Sequence, residues 1–254
     1  MKIVTSVAPP WPPPPALINL AGDEAHVWRA CLEVPPATID CFLQTLSTDE
    51  RARADRFYFQ SDREHFIAAH GMLRAILGRY VNRAPGGLSF CYGSHGKPAL
   101  IGESGGSAIR FNLSHSQGVA MYAIARSREV GVDVEFIRSE LDFEQIAERF
   151  FSHRERTMLR ALPTKMHQLA FFLCWTRKEA YIKARGEGLS LPLAEFDVSL
   201  TPGEPAALLS TRPDLDEARR WSLHDLNLAP DFAGALAVEG NCEALCRLQW
   251  AQTP

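Results

Sequence analysis

The segment from Lys165 to Arg185 contains neither proline nor glycine, and Gly186 follows it with Lys183 and Arg185 just before. Good helix formers, a glycine at the C-cap and basic residues in the last turn together predict a helix ending at this point. Its stretch Leu169 to Trp175 is apolar all round, so the helix is expected to be covered by a sheet and by another layer. Toward its end Trp175, Glu179 and Lys183 recur every four residues and project from one face. A carboxylate and an ammonium there would stand at the rim of the core, where a site is both rigid and wet. The same spacing also describes an ordinary surface ion pair, which stabilises a helix by only ~0.3 kcal/mol. A second cluster is needed to choose between them.

The rest of the chain bounds the class. At 254 residues it holds one large domain or two small ones, and 46% hydrophobic with 22% charged residues is a globular composition. A net charge of -3 gives no reason to expect a nucleic-acid partner. The six cysteines show no paired framework, and Cys242 with Cys246 lacks a second ligand pair for zinc. No apolar run reaches the ~20 residues that span a bilayer, and prolines interrupt the N-terminus where a signal peptide would be apolar. A soluble, cytoplasmic protein with reduced thiols is expected.

Residues 1–20, with Trp11 among a run of prolines, read as an extended, loosely draped arm. A first strand is expected at Val27 to Leu32, then a helix from Pro36 to Leu46. Ser47 and Glu50 have the spacing of a capping box and predict a second helix, which carries Arg51, Arg53 and Arg56. A third helix runs from about Ser61 to Val81. Strands are expected at Leu88–Tyr92, Ile109–Ser114, Val119–Ala125 and Val130–Glu135, with a lysine turn at Gly93–Pro98 and a loop at Gly102–Ser107. Helices follow at Asp142–Phe151 and Ser152–Ala161, the second capped by Ser152 and Glu155. After the long helix the chain returns to strands at Phe196–Leu200, Trp221–Leu226, Ala233–Val238 and Ala244–Trp250. Helices then strands, twice over, predict an α+β fold of two similar halves, 21–129 and 130–254.

The second cluster lies in Val132-Asp133-Val134-Glu135, where polarity alternates. On a strand, Asp133 and Glu135 share a face and repel one another unless a cation stands between them. A hard divalent ion such as Mg²⁺ fits, completing its shell with water and phosphate, and Glu179 is a natural third ligand. A solvated sheet face with two idle acids is the alternative. Arg53, Lys97 in its glycine-flanked turn, and Ser114 with His115 at a strand end are the phosphate-binding candidates.

Taken in order, Gly96-Lys97-Pro98, Phe111-Asn112-Leu113-Ser114-His115-Ser116, Gly131-Val132-Asp133-Val134-Glu135, Phe150-Phe151-Ser152 and Trp175-Thr176-Arg177-Lys178-Glu179-Ala180-Tyr181-Ile182-Lys183 through Gly188-Leu189-Ser190 resemble the Sfp-type 4′-phosphopantetheinyl transferases. The resemblance covers roughly 48–200. It implies a pseudo-dimer of two α/β halves with coenzyme A in the cleft between them. It also implies transfer of 4′-phosphopantetheine to a serine of an apo acyl or peptidyl carrier protein, releasing adenosine 3′,5′-bisphosphate. By it, Asp133, Glu135 and Glu179 hold Mg²⁺ (or Mn²⁺), and Lys183 meets the α-phosphate and the leaving group. Lys97, Ser114 and His115 bind the coenzyme, with His115 and Arg53 on its 3′-phosphate, and Glu179 is the candidate base. A tandem of halves completes its own cleft, so a monomer is expected. One departure is visible: Glu50 stands where some members carry a lysine. Two other classes use parts of the same pattern: a Mg²⁺-dependent phosphodiesterase or nucleotide hydrolase, and a non-catalytic coenzyme A or carrier-binding module.

Overall fold

The computed structural model describes residues 10–102 and 108–251. Met1 to Pro9 of the proline-rich arm and most of the loop expected at 102–107 lie outside the described residues. The elements run β1 (Glu24–Cys31), α1 (Pro36–Thr45), α2 (Thr48–Ala54), α3 (Gln60–Val81), β2 (Phe90–Tyr92), β3 (Pro98–Leu100), β4 (Ile109–Ser116), β5 (Val119–Arg126), β6 (Val130–Phe136), α4 (Phe143–Phe150), α5 (His153–Ala161), α6 (Thr164–Arg185), β7 (Phe196–Val198), β8 (Leu208–Thr211), β9 (Trp221–Asp225), β10 (Phe232–Glu239) and β11 (Ala244–Gln249). None of the described helices is long and apolar enough to cross a membrane.

Two sheets, ordered β11-β1-β5-β4 and β6-β10-β9, lie face to face between two helical layers. The period-two alternation of the strands assigns each side chain to a layer. Trp28, Ala30, Tyr122 and Ile124 point at α3 and meet Ile67, Met72 and Ile76. Ala25, Val27, Met121 and Ala123 point the other way and meet Val132, Val134, Leu236 and Val238 of the second sheet. Ala233, Ala235 and Ala237 face α6, against Phe171, Cys174 and Tyr181. Strands covered on both faces read as continuous apolar runs, as Ala120 to Ala125 does.

Gly131 sets the distance between β6 and α6. A Cβ there would lie 2.1 Å from the Ala180 carbonyl oxygen and 2.3 Å from the Ala184 nitrogen. Only a residue without a side chain allows this approach, which brings Asp133 and Glu135 under the end of α6.

The capping box forms as expected: Ser47 Oγ accepts from the Glu50 amide at 3.2 Å, and Glu50 Oε2 accepts from the Ser47 amide at 2.8 Å. Glu50 does more than cap. It is 1% exposed, pairs with Arg74 at 2.6 Å and accepts from His70 at 3.2 Å, pinning α2 to α3. Burial alone would raise its pKa; the bonds from His70, Arg74 and the Ser47 amide outweigh that and hold it at about 2, against an ordinary 4.5. A depressed acid stabilises the fold above its unfolded value and loses that contribution as pH falls through the native one. Glu50→Gln is therefore expected to cost about 3 kcal/mol at neutral pH. Urea midpoints of the two proteins should converge as pH drops from about 4.5 toward about 2; a gap that persists unchanged at low pH would assign the loss to packing instead.

Three sequence expectations need correction. The segment after Pro9 is no loose arm: Trp11 is 6% exposed among the residues between the sheets, and Arg29 lies 5.1 Å over its ring. Pro12 O also accepts from the Gln249 amide at 2.8 Å. Burying an indole is worth more than the freedom of a short proline-rich stretch. The C-terminal half does not keep its last strand either, because β11 pairs in parallel with β1, Glu24 opposite Ala244 through Arg29 opposite Gln249. Without β11 that edge of β1 would present an unpaired row of backbone groups. The first strand starts earlier than the alternation of Val27 to Leu32 indicates, since Glu24 to His26 already pair.

Candidate active site

The two sheets meet edge to edge at β4 and β6, and side chains replace the backbone ladder there. Asn112 Oδ1, Ser114 Oγ and Ser116 Oγ accept from the amides of Val132, Val134 and Phe136 at 2.9, 3.4 and 3.1 Å. Alternate β4 residues thus stitch one half to the other. The same serines turn outward bonds onto the acids of β6. Ser114 Oγ donates to Asp133 Oδ1 at 2.9 Å, and Ser116 Oγ donates to Glu135 Oε2 at 3.1 Å. From α6, Lys183 Nζ donates to Asp133 Oδ1 at 2.6 Å and to Ser114 Oγ at 3.0 Å. Ser114 is thereby saturated, with one donation and two acceptances. Asp133, Ser114 and Lys183 come from three elements and meet at one point.

Asp133 is 3% exposed and its Oδ2 has no hydrogen-bond partner. An orphaned buried carboxylate oxygen is costly unless a positive ligand completes it. The neighbouring acids carry a different mark, a shifted titration. Glu135 is raised above the ordinary carboxylate value by burial and then by Asp133, against the Ser116 bond, Lys183 and Arg138. Glu179 is raised by burial, then by Asp133 and, more weakly, by Glu135, with Lys183 opposing. Two carboxylates that resist ionising, beside a third with an unsatisfied buried oxygen, fit a divalent cation. Among the described residues no three His, Cys, Asp or Glu side chains already stand in coordinating positions, and Lys183 supplies the positive charge at Asp133 instead.

The phosphate candidates divide. His115, at the exposed end of β4, is held below the ordinary imidazole value by burial, then by Lys183, His65 and His70. His115 is thus within electrostatic reach of Lys183, His65 and His70. Arg53 lies 5.3 Å over the Phe66 ring, which stacks on His70 at 4.1 Å. Arg53 and His70 line a cavity of about 160 Å³ with Gly96, Pro98 and Asn112. Lys97 is not drawn into that group. Its ammonium donates at 2.7 Å to both Glu129 and the Ala184 carbonyl, so it holds the end of α6 beside Lys183. His65 and His70 escape sequence reasoning because nothing in their spacing on α3 marks them; their partner His115 arrives on another element.

The remaining charges of the α6 motif are structural. Lys178 is fully buried, and its three donors go to Glu155 at 2.8 Å, Leu193 O at 2.7 Å and Phe196 O at 2.6 Å. Arg177 makes a two-oxygen pair with Asp225 and donates to Ser199 O at 2.6 Å. Trp175, on the stripe of Glu179 and Lys183, packs with Phe150 and Phe171. Only the last two of the three residues on that stripe reach the seam.

Two family models match the chain, "4′-phosphopantetheinyl transferase, N-terminal" over residues 33–127 and "4′-phosphopantetheinyl transferase superfamily" over 129–237. The chain is 44% identical to the 4′-phosphopantetheinyl transferase HetI of Nostoc sp. over 91% of its own length and 94% of that protein. It belongs to the 4′-phosphopantetheinyl transferase family. A putative 4′-phosphopantetheinyl transferase of Synechocystis sp. is 31% identical over 82% of each chain. The 4′-phosphopantetheinyl transferase Sfp of Bacillus subtilis is 30% identical over 63% of this chain and 68% of its own. The boundary between the two family models falls between β5 and β6, so the seam carrying Asp133 and Ser114 joins one matched region to the other. As in its relatives' names, the reaction class is 4′-phosphopantetheinyl transfer.

Proposed function

We propose that this transferase moves 4′-phosphopantetheine from coenzyme A to a serine of an apo acyl or peptidyl carrier protein, with Mg²⁺ (or Mn²⁺) held by Asp133, Glu135 and Glu179. The observation that carries the metal assignment is the buried, unpartnered Oδ2 of Asp133 beside two carboxylates of raised pKa. A bound divalent cation supplies neutralisation of pyrophosphate charge. Lys183, poised 2.6 Å from Asp133, turns to the phosphate oxygens and stabilises charge on the departing group. Glu179, standing beside Asp133 and Glu135 at the seam, is the candidate acceptor of the carrier serine's proton. Ser114 orients Asp133 and Lys183, and the α3 side of the seam, His115 with Arg53 and His70, receives the coenzyme's 3′-phosphate. Lys97 contributes by fixing the end of α6. Both walls come from one chain, which supports a monomer as the working unit.

The test is the intact mass of an apo carrier protein incubated with the enzyme and coenzyme A, with and without Mg²⁺. Gain of one phosphopantetheine on the carrier serine, dependent on Mg²⁺, is expected. Coenzyme A cleavage that proceeds equally without a carrier would instead establish the hydrolase reading, and binding without turnover the non-catalytic one. If His115 meets the 3′-phosphate, His115→Ala should weaken coenzyme A binding about tenfold while changing 3′-dephospho-coenzyme A binding little. An equal loss for both ligands in titration calorimetry would place His115 elsewhere.

A further inference from the structure

The sheets have a second pair of facing edges, at the opposite side of the sandwich from Asp133. There β11 borders the first sheet and β9 the second. Between them Arg247 crosses the gap and donates from Nη2 to the Asp225 carbonyl at 3.1 Å. A cavity of about 670 Å³ opens at this back seam, and Arg247, His224, Leu169, Leu173, Leu228 and Phe232 are among its lining residues. That volume is in the range of small-molecule sites. None of the residues assigned above to coenzyme, metal or carrier serine lines it.

Its polar end is short of acceptors. Among the described residues Arg247 uses one of its five donors and has no carboxylate partner, and its Nε is shielded from water with no hydrogen bond. The Nε2 of His224 is likewise shielded and unpartnered among the described residues. Burial first, and Arg247 second, keep this imidazole neutral. Asp225 is no remedy, because both of its oxygens are taken by Arg177. One guanidinium and one neutral imidazole balance a single negative charge; a phosphate dianion would leave charge over, with exposed Glu204 at the mouth. Apart from Asp225, Asn227 and Glu204, the rest of the wall is made of apolar side chains, prolines and glycines. It includes Leu169, which is 39% exposed next to the buried Ala170, Phe171 and Phe172.

We propose that the back seam is a binding site for an amphipathic monocarboxylate, its head between Arg247 and His224 and its hydrocarbon body along Leu169, Leu173, Leu228 and Phe232. Such a ligand bridges a strand of the first sheet to the edge of the second without entering the catalytic seam.

The experiment is calorimetric titration of the full chain with sodium octanoate, alongside acetate, which has the head alone, and octanol, which has the body alone. Saturable one-to-one binding of octanoate is expected, with acetate and octanol at least about tenfold weaker. Arg247→Met, which keeps the stem and removes the charge, should weaken octanoate about tenfold or more and leave carrier modification unchanged. Leu169→Trp, a change at an exposed position that fills the cavity, should do the same if Arg247→Met does not fold. No octanoate binding at ~10 mM, equal affinity in the folded variants, or a crystal soaked in octanoate that shows only water at Arg247 and His224 would overturn the site.

Discussion

Asp133→Ala is expected to lower the rate of carrier modification about a thousandfold or more while the chain stays folded. Three facts set the size of the effect. Asp133 is the point at which β4, β6 and α6 converge, through Ser114 and Lys183. Its Oδ2 is the unsatisfied oxygen of the site, and its charge is the largest electrostatic influence on both Glu135 and Glu179. Removing it takes away the proposed metal ligand and releases Lys183 from its position. The fold should tolerate the loss, since Lys183 is 30% exposed in its side chain and finds water. Two readouts check this. Mg²⁺ should raise the melting temperature of the wild-type protein and not that of Asp133→Ala, and mass spectrometry should show carrier modification only with the former. Retention of the wild-type rate within about tenfold, or an undiminished Mg²⁺ effect on melting, would remove Asp133 from the metal site.

Lys178→Met is expected to destabilise the protein by about 3–5 kcal/mol although it lies one residue from Glu179. Lys178 and Glu155 are both fully buried and 2.8 Å apart. Glu155 also accepts from the amides of Ser152 at 2.9 Å and Val198 at 2.8 Å, so it ties α5 and β7 to α6. Methionine matches the length and leaves a buried carboxylate and two carbonyls without their cation. Penalties of that kind exceed the net worth of the intact pair. Converting both partners, Glu155→Gln with Lys178→Met, should therefore recover part of the loss in urea denaturation. If Lys178→Met alone costs less than about 1 kcal/mol, the pair contributes little to the fold. A loss of transfer without loss of stability would make Lys178 part of the chemistry.

The sequence alone settled the local geometry, because local geometry depends on neighbours in the chain. Pro-free, Gly-free Lys165 to Arg185 had to be helical, and Gly186 ends it with a positive φ of 70°. Ser47 with Glu50 and Ser152 with Glu155 form both capping boxes at the expected positions. The alternation of Val132 to Glu135 placed Asp133 and Glu135 on one face, and the order of the motifs marked the family before any contact was known. Tertiary structure decided what each charge does. Arg177, Lys178, Glu179 and Lys183 occupy seven residues of one helix. Helical spacing gives their directions but not what stands opposite. β7 and the Glu155 cap stand opposite Lys178, so it is buried in an ion pair, whereas β6 and β4 stand opposite Lys183, so it meets Asp133 and Ser114 at the seam. The partners of Glu50 and Lys97 were hidden for the same reason: Arg74 and the Ala184 carbonyl, which bind them, come from distant parts of the chain. The return of β11 to β1 was equally hidden, since its apolar run fits either sheet and only the unpaired edge of β1 selects one.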